Sequence, residues 1–507
     1  MSPNALSQTI DEQPLAHDEF SVRSALRNPK RLRIELLAGL VVALALIPEA
    51  ISFAILAGVD PRVGLYAAFT MAVTISFVGG RRAMISGATG AIALVIAPVA
   101  KEYGIDYLIA TVLLAGVLQI VLSVLGVARL MRFLPRSVMV GFVNALAILI
   151  FTSQIPYLIG VPWLVYPMLT VALVILIGLP RLTTAIPAPL VAIVGLTIVA
   201  VLMAIDVPTV GDQGELPDSL PSFFIPDVPF TLETLQIIAP YAFAMALVGL
   251  LESLMTAKLV DDVTDSHSDK SREAWGQGTA NIVSGFFGGM GGCAMIGQTM
   301  INVKVSGART RISTFSAGIF LLALVVGLGD LVGTIPMAAL VAVMIMVSVG
   351  TMDWHSVHPA TLRRMPFSAT MIMVSTVAVT VYTHNLAYGV IVGVVVAMVF
   401  FARRVSHFTE VVDIANPDED TRVYAVRGVL FFASSNDLVF QFDYAGDPKN
   451  IVIDLSDAQI FDSSTVAALD AIEFKYRQRG KNVEIVGLND ASQAWHGKLT
   501  GQLGAPE

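Results

Sequence analysis

The stretch GGMGGCAMIGQTMINVKVS, residues 288–306, lies between two long apolar runs and is rich in glycine. It contains too much glycine for an ordinary membrane helix and is too apolar for a surface loop. Non-helical backbone is tolerated at membrane depth only where it is buried in protein or lines a watery cavity, because unpaired amide groups are costly in hydrocarbon. The stretch therefore predicts a broken membrane segment beside a cavity.

A similar stretch, AMISGATGAIALVIAP, occupies residues 83–98. Two glycine-interrupted segments at corresponding places in two halves of a chain indicate the binding site of a transporter. We expect helices to begin near Thr89 and near Gln298, so that free amide groups and the positive ends of two helix dipoles face the cavity. Such a site suits an anion.

Composition indicates a polytopic membrane protein. The chain has 507 residues, of which 55% are hydrophobic and 14% charged, with a mean hydropathy of +0.75, whereas average proteins are about 25% charged. The net charge is −8 and no basic run is present, so nucleic acid is not an expected partner. A single cysteine, Cys293, allows no intramolecular disulfide and is interpreted as a small apolar spacer. The polar first 33 residues predict no cleavable signal peptide.

Apolar runs of membrane-spanning length predict about fourteen transmembrane segments. Lysine and arginine concentrate in cytoplasmic loops, so their positions test this count. Alternate loops carry Arg81 and Arg82, then Arg129, Arg132 and Arg136, then Arg181, then Lys258, Lys270 and Arg272, then Lys304, Arg309 and Arg311, then Arg363 and Arg364, and last Arg403 and Arg404. The opposite loops carry only Arg62 and Lys101. Both termini are therefore expected in the cytoplasm.

A proline-rich, acidic linker divides the apolar region into two halves, each with an odd number of predicted spans, which forces the halves into opposite orientations. Weak similarity between PEAISFAILAGVD at 48–60 and LESLMTAKLVDD at 251–262 agrees, and it pairs Glu49 with Glu252. The predicted domains are a tail with an amphipathic, lipid-facing stretch at 1–33, a first repeat at 34–205, a linker at 206–232, a second repeat at 233–403 and a soluble α/β domain at 413–507.

In the soluble domain, the patterns predict strands at 421–432, 450–455 and 483–487 and a helix at 463–479. Asp462 or Ser463 is the expected N-cap of that helix.

Two intramembrane acids are the main candidates for chemistry. Glu49 follows Pro48 within the first span, where a charge costs about 2.5 to 3.5 kcal/mol, which favours a role in proton uptake and release. The alternative is a structural acid bonded to backbone freed by the proline. Glu252 has three interpretations, which are cation coordination, proton carriage and simple pairing with Lys258.

The expected anion contacts offer backbone amides and neutral hydrogen bonds, and helix packing by small residues is their alternative explanation. They are Thr89, Gly90, Gly297, Gln298 and Thr299. Asp353, His355 and His358 have a spacing that suits a metal, but they fall in a predicted loop without a further ligand, so no metal site is expected. No set of nucleophile and base is evident, so we expect neither an enzyme nor a cofactor.

Four ordered motifs resemble those of the SulP, or solute carrier family twenty-six, anion transporters. They are a broken first span with ALIPEAISFAILAGVDPRVGLYAAF at 45–69, SGATG at 86–90, GQTMINVKVSGARTR at 297–311 and IDLSDAQIFDSSTVAAL at 453–469. The resemblance implies two inverted seven-span repeats arranged as core and gate domains, with the third and tenth segments broken, and a cytoplasmic STAS domain of small α/β fold. It also implies a homodimer, a protein partner of the STAS domain, and anions such as sulfate, bicarbonate, chloride or dicarboxylates.

Carried over by position, the resemblance assigns substrate contacts to Phe53, Thr89, Gly90, Thr256, Gly297, Gln298 and Thr299, and ion coupling to Glu49 and Glu252. Many animal relatives carry an arginine at the position of Thr299, so this chain lacks a fixed cation there. In the STAS domain, Thr465 replaces the glycine of a phosphorylated DSSG turn, which puts phosphorylation of Ser463 in doubt.

The expected function is symport of a small anion with H+ through Glu49 or Na+ through Glu252, in the inner cell membrane. The anion is a dicarboxylate such as fumarate or succinate, sulfate, or bicarbonate. The alternatives are a sodium-coupled bicarbonate symporter, an uncoupled exchanger or channel, and a membrane scaffold that presents the STAS domain.

Overall fold

The protein is described by a computed structural model over residues 21–126, 134–182, 187–406, 410–418 and 420–500. The chain divides into two compact units, Met1–Gly393 and Val394–Glu507. Several predictions lie outside the described residues, namely those for residues 1–20, Arg129, Arg132 and residues 501–507.

The first unit is helical apart from two very short strands. Its elements are α1 (Val22–Arg27), α2 (Pro29–Ala57), α3 (Pro61–Val78), β1 (Ser86–Gly87), α4 (Gly90–Tyr103), α5 (Ile105–Val124), α6 (Arg136–Gln154), α7 (Val165–Leu182), α8 (Ala188–Leu202), α9 (Leu232–Thr264), α10 (Lys270–Phe286), β2 (Cys293–Ala294), α11 (Ile296–Met300) continued by a π-helix (Ile301–Val305), α12 (Arg311–Gly327), α13 (Gly329–Gly333), α14 (Met337–Thr351), α15 (Trp354–Val357), α16 (Pro359–Arg364), α17 (Phe367–Thr383) and α18 (Leu386–Ser406).

Helix length and composition identify a multi-pass membrane protein. Within the described ranges, seven helical segments are long and apolar enough to cross a membrane, namely Pro29–Ala57, Pro61–Val78, Ile105–Val124, Arg136–Leu158, Val165–Leu182, Leu232–Thr264 and Leu386–Val405. Four shorter apolar helices join them, at Ala188–Leu202, Arg311–Gly327, Met337–Thr351 and Phe367–Thr383.

The helices of this unit pack as two bundles. The core bundle contains α2, α3, α4, α5, α9, α10, α11 and α12, and the gate bundle contains α6, α7, α8, α14 and α17. The bundles meet where α2 packs on α14 and α8, and where α4 packs on α6. This arrangement places the broken segments in the core bundle, facing the gate.

Close packing in the core depends on glycine. A Cβ atom at Gly278 of α10 would lie 2.6 Å from the carbonyl oxygen of Gly116 in α5. Small residues allow helix backbones in membranes to approach this closely, and van der Waals contact then holds the helices together. The core bundle is therefore a tightly joined body.

The first span is one continuous helix from Pro29 to Ala57, so the expectation that this span is broken was wrong. Pro48 lacks an N–H, but helix α2 runs through it from Pro29 to Ala57. The Ser52 hydroxyl donates to the Pro48 carbonyl over 2.8 Å, which satisfies an acceptor beside the proline. Glu49 therefore projects from an intact helix.

Two other buried acids have structural partners. Glu35 accepts from the backbone N–H groups of Arg309 (2.9 Å) and Thr310 (3.2 Å), at the start of α12. Glu273 accepts from those of Gly80 (2.8 Å) and Arg81 (2.9 Å), after the end of α3. These carboxylates fix the ends of helices, where orphan amides need acceptors.

The second unit contains a four-stranded sheet in the order β3-β4-β5-β6, with β3 antiparallel to β4 and the other pairs parallel. Its elements are β3 (Glu410–Asp418), β4 (Thr421–Leu430), α19 (Phe432–Leu438), β5 (Asn450–Ile460), α20 (Ser463–Arg477), β6 (Asn482–Val486) and α21 (Asp490–Leu499). Asp462 is the N-cap of α20 and accepts from Thr465 N–H over 3.1 Å. The sequence pattern missed β3, because this strand pairs only at an edge of the sheet.

A buried carboxylate holds one end of this sheet. Asp447 accepts hydrogen bonds from the hydroxyls of Tyr424 (2.9 Å) and Tyr476 (2.5 Å), and its backbone carbonyl accepts from Lys481 over 2.5 Å. Burial, together with the adjacent Asp447 carboxylate, raises the pKa of Tyr476, so its hydroxyl remains protonated and continues to donate. The cluster joins the starts of β4 and β6 to the end of α20.

Gly278→Ala should destabilise the membrane unit by about 1–3 kcal/mol, because the added methyl group forces α5 and α10 apart. Thermal unfolding of the purified protein in detergent measures the effect. Gly195→Ala is the matched control, since no atom lies within 4 Å of a Cβ there. An equal midpoint for Gly278→Ala and wild type would show that the helices separate without cost.

Asp447→Ala should expose the second unit to hydrogen exchange, because two buried tyrosine hydroxyls lose their acceptor at a cost of about 1–3 kcal/mol each. Exchange measured by mass spectrometry on the full chain tests this in β4, β6 and α20. Asp457→Ala removes an exposed ion pair with Arg427 and is the control. Equal protection in the two variants would contradict the proposed importance of the cluster.

Candidate functional site

The two broken segments meet in the centre of the core bundle. Strands β1 and β2 pair antiparallel, with Ser86 opposite Ala294 and Gly87 opposite Cys293. A Cβ atom at Gly292 would lie 1.8 Å from the Gly87 carbonyl oxygen, so the approach requires glycine. Because each strand is followed by a helix, the pair brings the N-termini of α4 and α11 together in the core.

The N-terminus of α4 has the predicted form. Thr89 is its N-cap, and the Thr89 hydroxyl accepts from Ile92 N–H over 3.4 Å. Phe53 of α2 packs over the first turn, where a Cβ at Gly90 would lie 2.9 Å from its ring. Gly90 therefore leaves the first amide groups of α4 beside an aromatic face.

The second helical segment begins at Ile296, two residues before the predicted Gln298. Met295, its N-cap residue, makes no side-chain capping bond. Gly297 is exposed, and a Cβ atom there would meet no atom within 4 Å. Open space thus adjoins this helix start, as a site for an anion requires.

Glu49 joins α2 to this second segment. The side chain of Gln298 donates an N–H to the Glu49 carboxylate. Glu49 is partly exposed, whereas Gln298 is only 5% exposed. The acid therefore has a neutral partner in the site and remains partly accessible.

Glu252 of α9 lies at the other half of the site. The Cys293 thiol donates to the Glu252 carboxylate over 2.9 Å and lies 3.1 Å from the Thr89 hydroxyl. Thr256 donates to the Glu252 backbone carbonyl over 2.8 Å and is fully buried. Of the three interpretations of Glu252, pairing with Lys258 is not among the described contacts, in which the carboxylate is bonded to Cys293.

Cys293 was interpreted as an apolar spacer, but it connects Glu252 to the cap of α4. The position of Cys293 within the broken segment could have indicated this role, because polar groups in that segment line the predicted cavity. Thr299, a predicted anion contact, is fully buried and accepts from Ile85 N–H over 3.0 Å. Its hydroxyl therefore ties α11 to the first broken segment.

Polar side chains of α10 support the strand pair, and sequence reasoning did not single them out. Gln277 donates to the Ser86 hydroxyl over 2.7 Å, and Asn281 accepts from Gly292 N–H over 2.8 Å. Gln277 and Asn281 are four residues apart, so they lie on one face of a membrane helix. This spacing could have indicated that the face packs against buried polar groups.

A small, open cavity lies between the bundles. Core residues Ser52, Ile55 and Leu56 line one side. The gate supplies Gln154, Tyr157, Met337, Leu340 and Val341. A Cβ atom at Gly90 would lie 3.0 Å from the side chain of Ile150 in gate helix α6, so the start of α4 lies at the boundary between core and gate.

The site combines amide groups, neutral hydrogen-bonding side chains and two carboxyl groups. In the part of the chain that the structure describes, the side-chain partners of Glu49, Glu252 and Gln298 include neither lysine nor arginine. The described residues also contain no cluster of three or more metal-ligating side chains.

Comparison with known proteins agrees with this architecture. Residues 32–166 and 162–376 match the sulfate permease family, and residues 414–494 match the STAS domain. The chain is 54% identical over 463 residues to YbaR of Bacillus subtilis (strain 168), which is provisionally named a sulfate transporter, covering 91% of this chain and 96% of that protein. It is 25% identical over 518 residues to the bicarbonate transporter BicA of Picosynechococcus sp., covering 90% and 89%.

Two solved structures share the fold. The murine Slc26a9 anion transporter in the inward-facing state gives a TM-score of 0.79 at 18% identity, covering 92% of this chain and 87% of that one. The transmembrane domain of a cyanobacterial BicA gives 0.63 at 24% identity, covering 73% and 98%. With the family match spanning most of its length, the chain belongs to the sulfate permease family and consists of a helical transmembrane domain followed by a STAS domain.

Proposed function

We propose that this protein is a proton-coupled symporter of a small anion, which binds between the N-termini of α4 and α11. One observation carries the proposal. Two carboxyl groups, Glu49 and Glu252, lie beside these helix starts, and their described side-chain partners, Gln298 and Cys293, are uncharged residues.

Charge balance links anion binding to a cation. Each helix N-terminus is equivalent to roughly +0.5 elementary charge, so the pair supplies about +1. Two ionised carboxylates would outweigh it and repel an arriving anion. Neutralising one acid restores attraction, so cation binding and anion binding must favour each other by linkage.

The contacts of the two acids support a proton as that cation. Gln298 donates an N–H to Glu49, and Cys293 donates an S–H to Glu252. Hard cations prefer several oxygen ligands, whereas a thiol is a soft ligand. Glu49 is also partly exposed, so a proton can reach it from the adjoining space.

The cavity between the bundles supports transport by movement of the core against the gate. The anion and the proton bind to the core, while the gate supplies an apolar wall that includes Met337, Leu340 and Val341. Moving a loaded core whose charges are balanced past this wall costs less than moving a charged one. Neutral Glu49 therefore permits the movement.

The substrate class follows from the donors. Backbone amides and neutral side chains suit sulfate, bicarbonate or a dicarboxylate such as fumarate or succinate. YbaR and BicA carry the names of sulfate and bicarbonate transporters. A second candidate is a sodium-coupled bicarbonate symporter that uses Glu252, of which the similarity to BicA supports only the anion. An uncoupled exchanger or channel is the third.

We place the protein in the inner cell membrane as a homodimer with both termini in the cytoplasm. The distribution of lysine and arginine over alternate loops supports this orientation. Exposed Arg23, Arg27 and Lys30 near the start of α2 suit anionic lipid head groups. A cytoplasmic STAS domain is then available to a protein partner.

Glu49→Gln should abolish uptake driven by an inward proton gradient while anion binding persists. Glutamine resembles the neutral acid but cannot release or take up a proton near neutral pH. Proteoliposomes supplied with labelled fumarate, succinate, sulfate, bicarbonate or chloride measure uptake with and without the gradient. Glu233→Gln, an exposed acid at the start of α9, is the control. Undiminished gradient-driven uptake in Glu49→Gln would remove the proton role.

Replacing sodium with choline should change the proton-driven uptake less than twofold, because the thiol at Glu252 is a poor ligand for a hard cation. The same proteoliposomes test this with sodium on either side of the membrane. Uptake that requires a sodium gradient and ignores the proton gradient would support the sodium-coupled bicarbonate symporter. Flux that ignores both gradients would support the exchanger or channel.

A further inference from the structure

Two of the chain connections between core and gate lie on the same side of the membrane unit. The linker, residues 203–231, joins α8 of the gate to α9 of the core. The loop at 328–336, which contains α13, joins α12 of the core to α14 of the gate. Any movement between the bundles must be accommodated in these connections.

The first part of the linker is bonded to the gate side. Val210 N–H donates to the Ile335 carbonyl over 2.9 Å, and Met337 N–H donates to the Pro208 carbonyl over 2.8 Å. Asp212 secures this part by accepting from Thr209 N–H over 2.8 Å. Residues 208–212 are therefore fixed to the start of α14.

The later part of the linker is bonded to the core. Arg62 N–H donates to the Glu215 carbonyl over 3.0 Å, and the side chains of the two residues form an ion pair. The Tyr66 hydroxyl donates to the Ser219 carbonyl over 3.1 Å. Further on, Asp227 N–H donates to the Asp106 carboxylate over 2.9 Å at the start of α5.

Gly214 lies between these two anchored parts. Its φ of +142° and ψ of −174° belong to a region that other residues rarely adopt. A Cβ atom there would lie 2.3 Å from the Asp60 carboxylate, at the start of α3. Only glycine fits this position, and glycine also has the widest freedom to rotate.

The two connections also touch each other through glycines. A Cβ at Gly211 would lie 3.2 Å from the Gly333 carbonyl oxygen, and one at Gly329 would lie 3.4 Å from the Pro217 carbonyl oxygen. The Leu216 side chain also lies against Gly333, where a Cβ would be 3.4 Å from it. The two connections are therefore in close contact on both sides of Gly214.

We propose that these two connections form the hinge between core and gate, and that Gly214 is the residue at which the linker bends. The inference rests on the proposed transport by core movement. The contacts on both sides of Gly214 confine rotation to a short segment, because the neighbouring parts each move with one bundle. Movement is then smallest at this side of the protein and larger at the opposite side.

Gly214→Ala should lower the maximal uptake rate at least tenfold and change the half-saturating anion concentration less than twofold, since alanine restricts rotation without touching the site. Gly104→Ala is the matched control. Gly104 also has a positive φ, +86°, with ψ of −174°, but it joins two core helices and has open space around it. We expect its uptake to stay within twofold of wild type. A wild-type maximal rate in Gly214→Ala would overturn the proposal.

A distance measurement tests the hinge without transport and without Gly214→Ala. Spin labels at Ser222→Cys and Glu102→Cys measure the distance from the linker to the core. Labels at Ser222→Cys and Trp163→Cys measure the distance from the linker to the gate side. All three positions are exposed. Cys293 is fully buried, and wild type measures its background labelling.

The first pair should keep one narrow distance, while the second should shift or broaden when pH or the anion is changed. A broad distance in the first pair, or an invariant one in the second, would contradict the hinge. The wild-type protein could transport no anion in the panel and still show a change in the second distance alone. That result would refute the proposed function but support the hinge.

Discussion

Backbone amide groups in the middle of a membrane must find partners within the protein, and the pairing of β1 with β2 meets that requirement. The pairing is possible because Gly292 has no side chain to strike the Gly87 carbonyl. Asn281 accepts from Gly292 N–H, and Ser253 accepts from Ala294 N–H over 3.0 Å. The starts of α4 and α11 are held in place by these bonds, so the geometry of the site follows from them.

The acids are arranged across the two halves of the chain. Glu49 belongs to the first half but contacts Gln298 of the second. Glu252 belongs to the second half and reaches Thr89 of the first through Cys293. Each acid is therefore linked to both helix starts, which is the connection that the proposed coupling of a proton to an anion requires.

The sequence predicted the broken segments because their glycines and polar side chains have no other reason to lie in a membrane. It placed the start of α4 at Thr89, but it missed the role of Cys293, since a lone thiol has no periodic signal. It also predicted a broken first span, whereas helix α2 runs intact through Pro48, whose carbonyl accepts a bond from Ser52. Side-chain partners such as these depend on neighbours distant in the chain, which local patterns do not contain.

The same packing explains why the proposed movement is placed between the bundles and not within them. In the core, Gly278 and Gly116 bring two helices into backbone contact, and separating them would open unfilled space. At the boundary with the gate, by contrast, the cavity is lined largely by apolar side chains, including Leu56 and Leu340. Apolar surfaces have no directional bonds to break when they slide. Under the proposed mechanism, the barrier to movement is then set by the charge that the core carries, and protonation of Glu49 lowers it.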